Sequence, residues 1–489
     1  MKSISCFLPY QDDTATRSTV RQLTCSPLVE KIYLLVPADK KEPQIPSCAS
    51  IRTNDLWSSE TIRTIAEHST TEFILIYTQG DALKLGPFAL DRLATLASET
   101  NAGLLYADYQ ETKGEKTEPH PLIDYQEGSL RDDFNFGALL LYRTEALIEA
   151  ITRAHEQYRF AGLYDLRLKV SQSWPITHVN EYLYTIVEND LRTSGEKLFD
   201  YVDPKNRAVQ LEMEAACTEH LRQVGAYLSP VTREIEFEGT DFPREASVII
   251  PVRNRVRTIE DAIRSALRQA TDFNYNVIVV DNHSTDGTTE KIAALAKEDP
   301  RLLHLLPERN DLGIGGCWNL AIHHPECGRF AVQLDSDDVY SDEHTLSRVI
   351  STFRSEHCAM VIGSYHMTNF QMETLPPGVI DHREWTAENG HNNALRINGL
   401  GAPRAFYTPL LRQLNLPNTS YGEDYAIGLR LCREYKIGRI YDVLYLCRRW
   451  EDNSDAALDT RRMNDHNLYK DKIRTWELQA RILLNKRKA

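Results

Sequence analysis

The stretch "RFAVQLDSDDVYSDE" (329–343) joins a short apolar strand to a dense group of carboxylates. Asp335, Asp337 and Asp338 stand within four residues, at the point where the strand has to end. Carboxylates this close repel one another unless a positive group joins them. The stretch therefore predicts a buried strand that presents acidic side chains at its carboxyl end.

A second stretch, "EFILIYTQGDALKLG" (72–86), has the same apolar rhythm without these acids. Thr78 and Gly80 stand where the first stretch has Asp335 and Asp337. Other segments pair in the same order: "SISCFLP" with "ASVIIPV", "EKIYLLVPADK" with "YNVIVVDNHSTDG", "FNFGALLLYRTEAL" with "NGLGAPRAFYTPLL", and "EYLYTIVEND" with "DVLYLCRRWED". An ordered series of matches indicates two copies of one unit.

Each copy alternates short apolar strands with segments of helix length. This is the pattern of a Rossmann-like, mostly parallel sheet covered by helices, so the predicted class is α/β with two tandem domains. We expect a first domain at 1–202, a helix and linker at 203–242, a second domain at 243–458 and a C-terminal amphipathic helix at 459–489.

The segment between the copies begins as a helix and ends as a linker. Asp203 suits the N-terminal cap of that helix, and Pro204 suits its first turn. The stretch "SPVTREIEFEGTDFPRE" loses helical periodicity and contains Pro and Gly, which places the domain boundary near Phe242.

Composition limits the function classes and the compartment. The formal net charge of -14 argues against nucleic-acid binding, which needs clustered excess Lys and Arg. Nine scattered cysteines without a C-x-x-C pair are typical of free thiols in a reducing compartment. The N-terminus turns polar too early for a signal peptide, and no run reaches the roughly 20 apolar residues of a membrane span. We expect a cytoplasmic protein, with the inner face of the membrane as an open alternative.

That alternative depends on the end of the chain. In "NLYKDKIRTWELQARILLNKRKA", Ile473, Trp476, Ala480 and Leu483 fall on one predicted helical stripe that basic residues follow. Such a helix packs on a domain in most proteins. A basic amphipathic helix can also rest on an anionic membrane surface, so peripheral membrane contact stays open.

Acidic residues follow two strands of the second copy. Asp281 and Asp286 lie in "VVDNHSTDG", and Asp335 and Asp337 lie in "LDSDDVY". Ligands of parallel sheets gather at the carboxyl ends of the strands. A hard divalent cation, Mg²⁺ or Mn²⁺, would join converging carboxylates and take further ligands from a substrate phosphate.

At the level of motifs, residues 246–458 resemble the family 2 glycosyltransferases with the A-type fold. The resemblance is carried by "SVIIPVRNR", "VVDNHSTDGT", "RNDLGIGGCWNLAI", "LDSDDVY" and "YGEDYAIGLRL", in this order. It implies an inverting, metal-assisted transfer of a sugar from a UDP- or GDP-type donor to a glycan, a lipid-linked acceptor or another hydroxyl. The first copy would then be a degenerate domain of the same family.

The resemblance also implies roles for particular residues. Asp337 would ligate the metal, Asp335 would face the metal or the ribose, and Asp338 would cap the next turn or support the ligands. The residues expected to contact the nucleotide sugar are Pro251, Arg253, Asp281, Asp335, Gly315 and Arg449.

The proton of the acceptor hydroxyl needs a base on the opposite face of the sugar. Asp424, with Glu423, is the candidate, although an acid in a first helical turn also interacts favourably with the helix dipole. We expect the acceptor to meet Gly401, Trp385 and His391, while packing is an equally good interpretation of the last two.

One feature departs from the family pattern. Many relatives place a His after the last strand as a metal ligand, whereas this chain has Arg448, Arg449 and Trp450 there. The arginines could hold the diphosphate directly, or the His could be His391 or His466. The third metal ligand therefore stays open.

The first copy lacks the corresponding acids. Val36 stands opposite Asp281, and Gly162 with Leu163 opposite the Glu–Asp pair of the second copy. This predicts a non-catalytic domain that binds acceptor, holds a partner or braces the second domain. A metal-independent activity stays open because of Asp81, Asp108 and Glu111.

Three other functions compete with this interpretation. "LDSDDVY" also fits the D-x-D-x-[TV] motif of haloacid dehalogenase-type phosphatases, but that motif normally ends the first strand of its domain. A sugar-phosphate nucleotidyltransferase would need an early Gly-rich basic loop, which is missing near "PVRNR". A non-catalytic protein that binds glycans or nucleotide sugars would have little reason to keep every acid of the second copy.

Overall fold

The computed structural model describes residues 3–187, 206–237, 242–450 and 458–488. The chain divides into two compact units. The first comprises Met1–Gly195, Lys205–Tyr227 and Asp459–Ala489, and the second contains Leu228–Leu458. The predicted helix start at Asp203 and Pro204 lies outside the described residues.

The first unit is an α/β domain. Its described strands are β1 (Ile4–Pro9), β2 (Val29–Pro37), β3 (Cys48–Thr53), β4 (Phe73–Tyr77), β5 (Lys84–Leu85), β6 (Leu104–Lys113), β7 (Lys116–His120), β8 (Leu139–Arg143) and β9 (Ile176–Val187). Its described helices are α1 (Asp13–Thr24), α2 (Ser59–Glu67), α3 (Ala89–Thr100), α4 (Thr144–Thr152), α5 (Gly162–Val170), α6 (Arg207–Gln223) and α14 (Thr460–Lys488).

The second unit repeats this alternation. Its described strands are β10 (Ala246–Val252), β11 (Tyr275–Asp281), β12 (Leu302–Leu305), β13 (Phe330–Gln333), β14 (Val339–Tyr340), β15 (Met360–Thr368), β16 (Thr374–Ile380), β17 (Arg404–Tyr407) and β18 (Ile437–Arg448). Its described helices are α7 (Ile259–Leu267), α8 (Thr288–Glu298), α9 (Ile314–His323), α10 (Thr345–Glu356), α11 (Gly390–Asn393), α12 (Thr408–Leu414) and α13 (Glu423–Cys432).

Both sheets have the same strand order. The first runs β3-β2-β1-β4-β8-β6-β9-β5 with β7 on β6, and the second runs β12-β11-β10-β13-β17-β15-β18-β14 with β16 on β15. In each, four parallel strands continue into antiparallel partners. The predicted α/β class with two mostly parallel sheets is confirmed, and the sequence repeat extends to sheet topology.

Strand register fixes which residues correspond. Pro9 pairs with Leu35 as Pro251 pairs with Val280, so Val36 takes the place of Asp281. Ile76 pairs with Phe7 as Gln333 pairs with Ile249, so Thr78 follows its strand where Asp335 does in the other unit. The positions compared in the sequence are therefore structurally equivalent.

The central strands form because they are apolar on both faces. β4 and β11 are buried at every position, and β1 is too. Continuous Val, Ile and Leu runs of this kind suit parallel strands that helices cover on both sides. Polar loops follow the carboxyl ends of the strands in each sheet, and several candidate site residues lie in these loops.

The C-terminal helix α14 packs within the first unit through a largely polar face. Asp471 lies 2.9 Å from Arg474 and 3.4 Å from Arg131, and all three are buried. Ile473 is buried, whereas Trp476 is 59% and Leu483 55% exposed. The predicted apolar stripe therefore does not form one buried face. No helix in the described ranges is long and apolar enough to cross a membrane.

Candidate active site

The loop after β13 carries Asp335 at the carboxyl edge of the second sheet. The Gln333 side-chain amide donates to both Asp335 carboxylate oxygens, at 3.0 and 3.1 Å. The Asp335 backbone N–H donates to the Tyr445 hydroxyl at 2.9 Å. Burial first, and the neighbouring charge of Asp337 as well, raise the pKa of Asp335. The local structure thus holds this carboxylate where its negative charge is costly.

Asp338 ties the same loop to the end of β18. It is buried, and its carboxylate accepts the Arg448 backbone N–H at 2.7 Å. The Arg448 guanidinium donates to the Asp337 carbonyl oxygen at 2.6 Å and to the Asp261 carboxylate at 2.8 Å. Burial and the two neighbouring aspartates raise the pKa of Asp338 well above its usual range. Asp338 therefore supports the loop.

Asp337 borders a cationic and aromatic cluster. Its carboxylate lies 3.4 Å from the Trp450 indole nitrogen and 3.8 Å from Arg255 Nε. The guanidinium carbon of Arg257 stands 4.9 Å from the centre of the Trp450 ring, which the edge of Phe370 also meets. Of these groups, Trp450 lies in the segment after β18 where the resemblance led us to look for a His.

Both carboxylate oxygens of Asp281 accept hydrogen bonds from the turn that follows β11. It is fully buried and accepts hydrogen bonds from the Ser284 N–H at 3.1 Å and the Thr289 hydroxyl at 2.5 Å, with His304 at 3.4 Å. Burial acts to raise the pKa of Asp281, but these hydrogen bonds outweigh it and lower the pKa. Asp281 therefore stabilises the turn, and its contact with a nucleotide stays a prediction.

The next residue, Asn282, has an unused acceptor and was missed in the sequence. Its side-chain amide donates to the Leu312 carbonyl at 2.8 Å, while its Oδ1 is buried and has no hydrogen-bond partner in the described part of the chain. A polar residue directly after a strand-end Asp was the available signal. Asn282 Oδ1 is therefore an unsatisfied acceptor at the carboxyl edge of the sheet.

Glu423 and Asp424 open helix α13 in different surroundings. Asp424 is 28% exposed, forms an ion pair with Arg404 at 2.9 Å, and accepts the Tyr425 N–H at 2.7 Å. Glu423 is buried, and its Oε2 has no hydrogen-bond partner among the described residues. Burial first, then the charges of Asp424 and Asp335, raise the pKa of Glu423 to about 8.

Arg404 joins these acids and was also missed. Its guanidinium contacts the Gly401 carbonyl and Asp424, and its backbone N–H donates to the Gln333 side chain at 3.1 Å. Burial acts to lower the pKa of Arg404, but Asp424, Asp335 and Glu423 raise it. The Asp335 loop and the first turn of α13 therefore meet around one guanidinium.

The expected nucleotide contacts lie on three loops of this edge. Pro251 is half-buried at the end of β10, and Arg253 is exposed just beyond it. The Arg449 backbone N–H donates to the Thr368 carbonyl at 2.8 Å. A side chain at Gly315 would place its Cβ 1.9 Å from the Pro417 carbonyl oxygen, so packing already requires this glycine. Their contacts with a nucleotide stay predictions.

The expected acceptor residues are packed in the second unit. Trp385 is buried with its indole against Gly390, and His391 is buried with Nε2 3.0 Å from the Leu228 carbonyl. Gly401 has a φ of +87° and packs against His382. Packing accounts for all of these residues, and acceptor contact stays a prediction.

Two carboxylates of the site, those of Asp335 and Asp337, are suited to bind a divalent cation. Within the described ranges, no group of three or more His, Cys, Asp or Glu is placed to hold a metal ion. Mg²⁺ is commonly held by one or two carboxylates with substrate phosphates and water. Asp335 and Asp337 supply two carboxylates in one loop, and a cation there would offset the burial and the neighbouring charge that raise the pKa of Asp335. His466 lies on α14 of the first unit, and His391 is packed as above.

At the equivalent edge of the first unit, other groups stand in these places. Gly162 opens α5 as Glu423 opens α13, and register places Leu140 where Arg404 stands. Asp108 is buried and accepts hydrogen bonds from the Leu122 N–H and His178. Asp108 therefore serves the packing of the first unit.

Comparison with known proteins finds the same family that the motifs of the second unit resemble. Residues 247–399 match the model of Glycosyl transferase family 2. The chain is 29% identical over 171 residues to the succinoglycan biosynthesis protein ExoA of Rhizobium meliloti, covering 32% of this chain and 51% of that protein. It is 30% identical over 128 residues to the putative teichuronic acid biosynthesis glycosyltransferase TuaG of Bacillus subtilis, covering 26% and 49%.

An uncharacterized glycosyltransferase of Rickettsia conorii is 28% identical over 200 residues, which are 40% of this chain and 31% of that protein. The chain thus spans about a third to a half of the length of these relatives.

Two solved structures show distant likenesses. S. aureus TarS 1-349 in complex with UDP-GlcNAc has a TM-score of 0.37 and 22% identity, over 48% of this chain and 72% of that one. The mannosyltransferase PcManGT from Pyrobaculum calidifontis in complex with GDP-Man and Mn²⁺ has a TM-score of 0.33 and 16% identity, over 60% and 88%. Likenesses this distant do not transfer a ligand. The family match, with the strand-end motifs on the matching sheet edge, identifies the C-terminal half of this chain as carrying a family 2 glycosyltransferase domain.

Proposed function

We propose that the second unit transfers a sugar from a nucleotide-diphosphate donor to a hydroxyl acceptor with inversion. The observation that carries this proposal is the meeting of the Asp335 loop and the Glu423–Asp424 turn around Arg404. A displacement reaction needs a group that handles the leaving diphosphate and a group that takes the acceptor proton. This edge of the sheet offers both kinds of group close together.

The donor diphosphate would lie by the Asp335–Asp337 loop. These two residues would hold Mn²⁺ or Mg²⁺, whose chemistry is to neutralise the diphosphate as it leaves. Arg255 and Arg257 border the same loop around Trp450, and guanidinium groups pair well with phosphate oxygens. The resemblance would have Asp281 accept hydrogen bonds from the base, but both oxygens of Asp281 are engaged within its own turn. We propose that the neighbouring Asn282 Oδ1 accepts a hydrogen bond from the base instead.

The acceptor proton would pass to the pair that opens α13. Asp424 is the proposed base because its carboxylate is partly exposed, and Arg404 fixes its orientation. Burial first, and the charges of Asp424 and Asp335, raise the pKa of Glu423 and so favour its protonated form. In that form Glu423 adds no second negative charge to the pair and can donate a hydrogen bond.

The named relatives favour a polysaccharide-building acceptor. ExoA is a succinoglycan biosynthesis protein and TuaG a putative teichuronic acid glycosyltransferase, so a growing glycan or a lipid-linked glycan is the proposed acceptor.

The proposed place is the cytoplasm, including the inner face of the membrane. Trp476 and Leu483 are exposed on α14, with Lys472 and Lys486 exposed along the same helix.

Product analysis tests the reaction class. The protein is incubated with UDP- and GDP-sugars and Mn²⁺, with and without a mixture of glycan acceptors. We expect release of nucleoside diphosphate, increased by a suitable acceptor and abolished in Asp337→Ala. Exchange of pyrophosphate would instead identify a nucleotidyltransferase, and saturable binding without any product would identify a binding protein.

A further inference from the structure

Three buried polar atoms without hydrogen-bond partners lie in one short segment of the first unit. They are the Tyr77 hydroxyl, Gln79 Oε1 and Asp81 Oδ2, and they have no partner in the described part of the chain. Tyr77 is only 1% exposed. Leaving a buried polar group unpaired costs about 1–3 kcal/mol. Three such groups in five residues suggest that something outside the protein satisfies them.

The segment lies where a parallel sheet binds its ligands. It follows β4, the first unit's counterpart of the strand that leads to Asp335. Ligands of such sheets collect beyond the carboxyl ends of the strands. Residues 78–82 are each half-buried, so solvent reaches part of this segment.

The unpaired atoms indicate the chemistry of the ligand. An amide oxygen and a carboxylate oxygen accept hydrogen bonds, and a tyrosine hydroxyl donates or accepts. A phosphate brings acceptors and negative charge, which Asp81 would repel. The carboxylates that could hold a bridging cation are replaced by Thr78 and Gly80. The ligand must therefore bring hydrogen-bond donors and no phosphate.

The side chain of Gln11 lies against this segment. A Cβ built at Gly80 would lie 2.2 Å from Gln11 Oε1, so Gln11 fills the space that the Asp337 side chain occupies in the second unit. Gln11 is itself exposed. Its side chain can rotate towards solvent, uncover Gly80 and offer an amide to a ligand. Burial, with the charge of Asp12, raises the pKa of Asp81, as expected for a carboxylate that lacks donors.

We propose that segment 77–81 of the first unit, with Gln11 above it, binds a neutral carbohydrate whose hydroxyl groups donate to Gln79 and Asp81. Pairs of sugar hydroxyls suit a carboxylate, and Gly80 lets the ligand approach the backbone closely. The site is specific for a glycan without a phosphate group. This proposal stands independently of the reaction proposed for the second unit.

Hydrogen–deuterium exchange on the full-length protein tests it. The probes are neutral disaccharides of glucose, galactose, mannose and N-acetylglucosamine, each in the presence of saturating UDP and Mn²⁺ to occupy any donor site in the second unit. We expect at least one disaccharide to protect the peptide that contains residues 77–83. Its affinity is measured in parallel by ligand-observed NMR.

Substitutions then locate the contact. Gln79→Leu and the isosteric Asp81→Asn should each weaken disaccharide binding by about tenfold, since the first removes a buried acceptor and the second replaces one carboxylate oxygen by a donor. The matched controls Gln110→Leu and Asp91→Asn, at exposed positions of the same unit, should bind as the parent does. Far-UV circular dichroism and the Tm establish that each variant is folded.

Three results would overturn the proposal. The first is that no disaccharide protects the 77–83 peptide. The second is unchanged binding by both folded variants. The third is equal protection of this peptide by UDP alone, which would make the ligand a nucleotide. Loss of sugar transfer by the second unit would affect none of these measurements, so the two proposals fail separately.

Discussion

At the start of α13, two adjacent carboxyl groups are held in opposite ways. Asp424 is paired with Arg404 and partly open to solvent, whereas Glu423 is buried with an unpaired oxygen. A neighbouring positive charge favours the ionised form of a carboxyl group, and burial favours the neutral form. The pair can therefore combine one charged and one neutral carboxyl group at neutral pH. Arg404 favours the charged form of Asp424, with which it forms an ion pair.

Replacing Arg404 by Met tests that role. The variant removes the positive charge and keeps most of the apolar stem, so the carboxyl groups beside it should titrate at higher pH. We expect the acidic limb of the kcat/KM–pH profile to move to higher pH. At neutral pH, kcat/KM should fall by roughly 100-fold, the usual scale for a disturbed general base.

The control for this variant is Arg430→Met on the same helix. Arg430 pairs with Glu434 at 2.7 Å, away from the first turn of α13. Its loss should leave both the position of the acidic limb and kcat/KM unchanged. A profile of Arg404→Met that coincides with that of the parent would show that Arg404 does not act on the base.

Glu423 makes folding stability depend on pH. Its pKa is about 8 in the folded protein against 4.5 ordinarily. The folded state binds the proton more tightly, so this contribution to stability is present below the ordinary pKa and is lost as pH rises through 8. Glu423→Gln cannot ionise. We expect its free energy of unfolding to match the parent's at pH 5 and to exceed it at pH 9 by roughly 1 kcal/mol or more.

Denaturant unfolding at both pH values, without added metal, measures this difference. Glu290→Gln, at an exposed position of α8, serves as the control and should follow the parent at both pH values. If Glu423→Gln gains nothing over the parent at pH 9, then Glu423 ionises normally in the folded protein.

At the scale of elements, the N-terminus of α9 supports the first turn of α13. Gly313, Gly315 and Gly316 pack against residues 417–419, the loop that leads to α13. The Gly315 N–H donates to the Thr419 carbonyl at 2.9 Å. The glycines of "NDLGIGGCWN" thus position Glu423 through backbone contact, apart from any contact with a nucleotide.

Gly315→Ala should displace that loop. The new Cβ would lie 1.9 Å from the Pro417 carbonyl oxygen and 3.1 Å from the Glu423 Cβ. Because backbone must move, we expect a loss of about 1–3 kcal/mol in the free energy of unfolding, together with a lower kcat. Gly114→Ala is the comparison: its Cβ meets nothing within 4 Å, and only its φ of +60° is strained. If the two variants lose the same stability and neither loses kcat, the packing argument is wrong.

The central strands could be predicted because their signal is local. Runs such as "SVIIPV" and "FILIY" are apolar over their whole length, and the repeat gave the same elements twice. Arg404 could not be predicted. It reaches the acids because β17 pairs with β13 in antiparallel fashion, and a contact between such distant segments leaves no local pattern.

The packing of α14 was not predicted, for a different physical reason. The sequence shows an apolar stripe on this helix, but Arg474 and Arg481 are fully buried, in ion pairs with Asp471 and Glu477 of the same helix. Burying charge is tolerated when it is paired, and the contact of Asp471 with Arg131 of a distant segment leaves no pattern in the helix. Asp281 could be placed at the end of its strand from the sequence. The sequence did not show that the following turn uses both of its carboxylate oxygens, because those hydrogen bonds depend on the folded loop.

At the scale of the whole molecule, two sheets of one topology carry different chemistry. The second has Asp335, Asp337 and Arg404 where the first has Thr78, Gly80 and Leu140. A nucleotide diphosphate needs positive charge or a bound cation, and the first set offers neither. The same sheet topology occurs twice in the described chain, whereas the residues proposed to hold a donor occur in the second unit alone.

We therefore expect one nucleotide to bind per chain. Isothermal titration of the full-length protein with UDP and GDP, in Mn²⁺, should give a stoichiometry of one for the preferred nucleotide. Removal of the metal with EDTA, or Asp337→Ala, should weaken binding by about 100-fold or more, because a direct ligand should matter at least as much as its supporting groups. Asp342→Ala, an acid beyond β14 that pairs with Arg348, should bind normally. A stoichiometry of two, or a value that Asp337→Ala merely halves, would show that the first unit holds a nucleotide as well and that its missing acids do not matter.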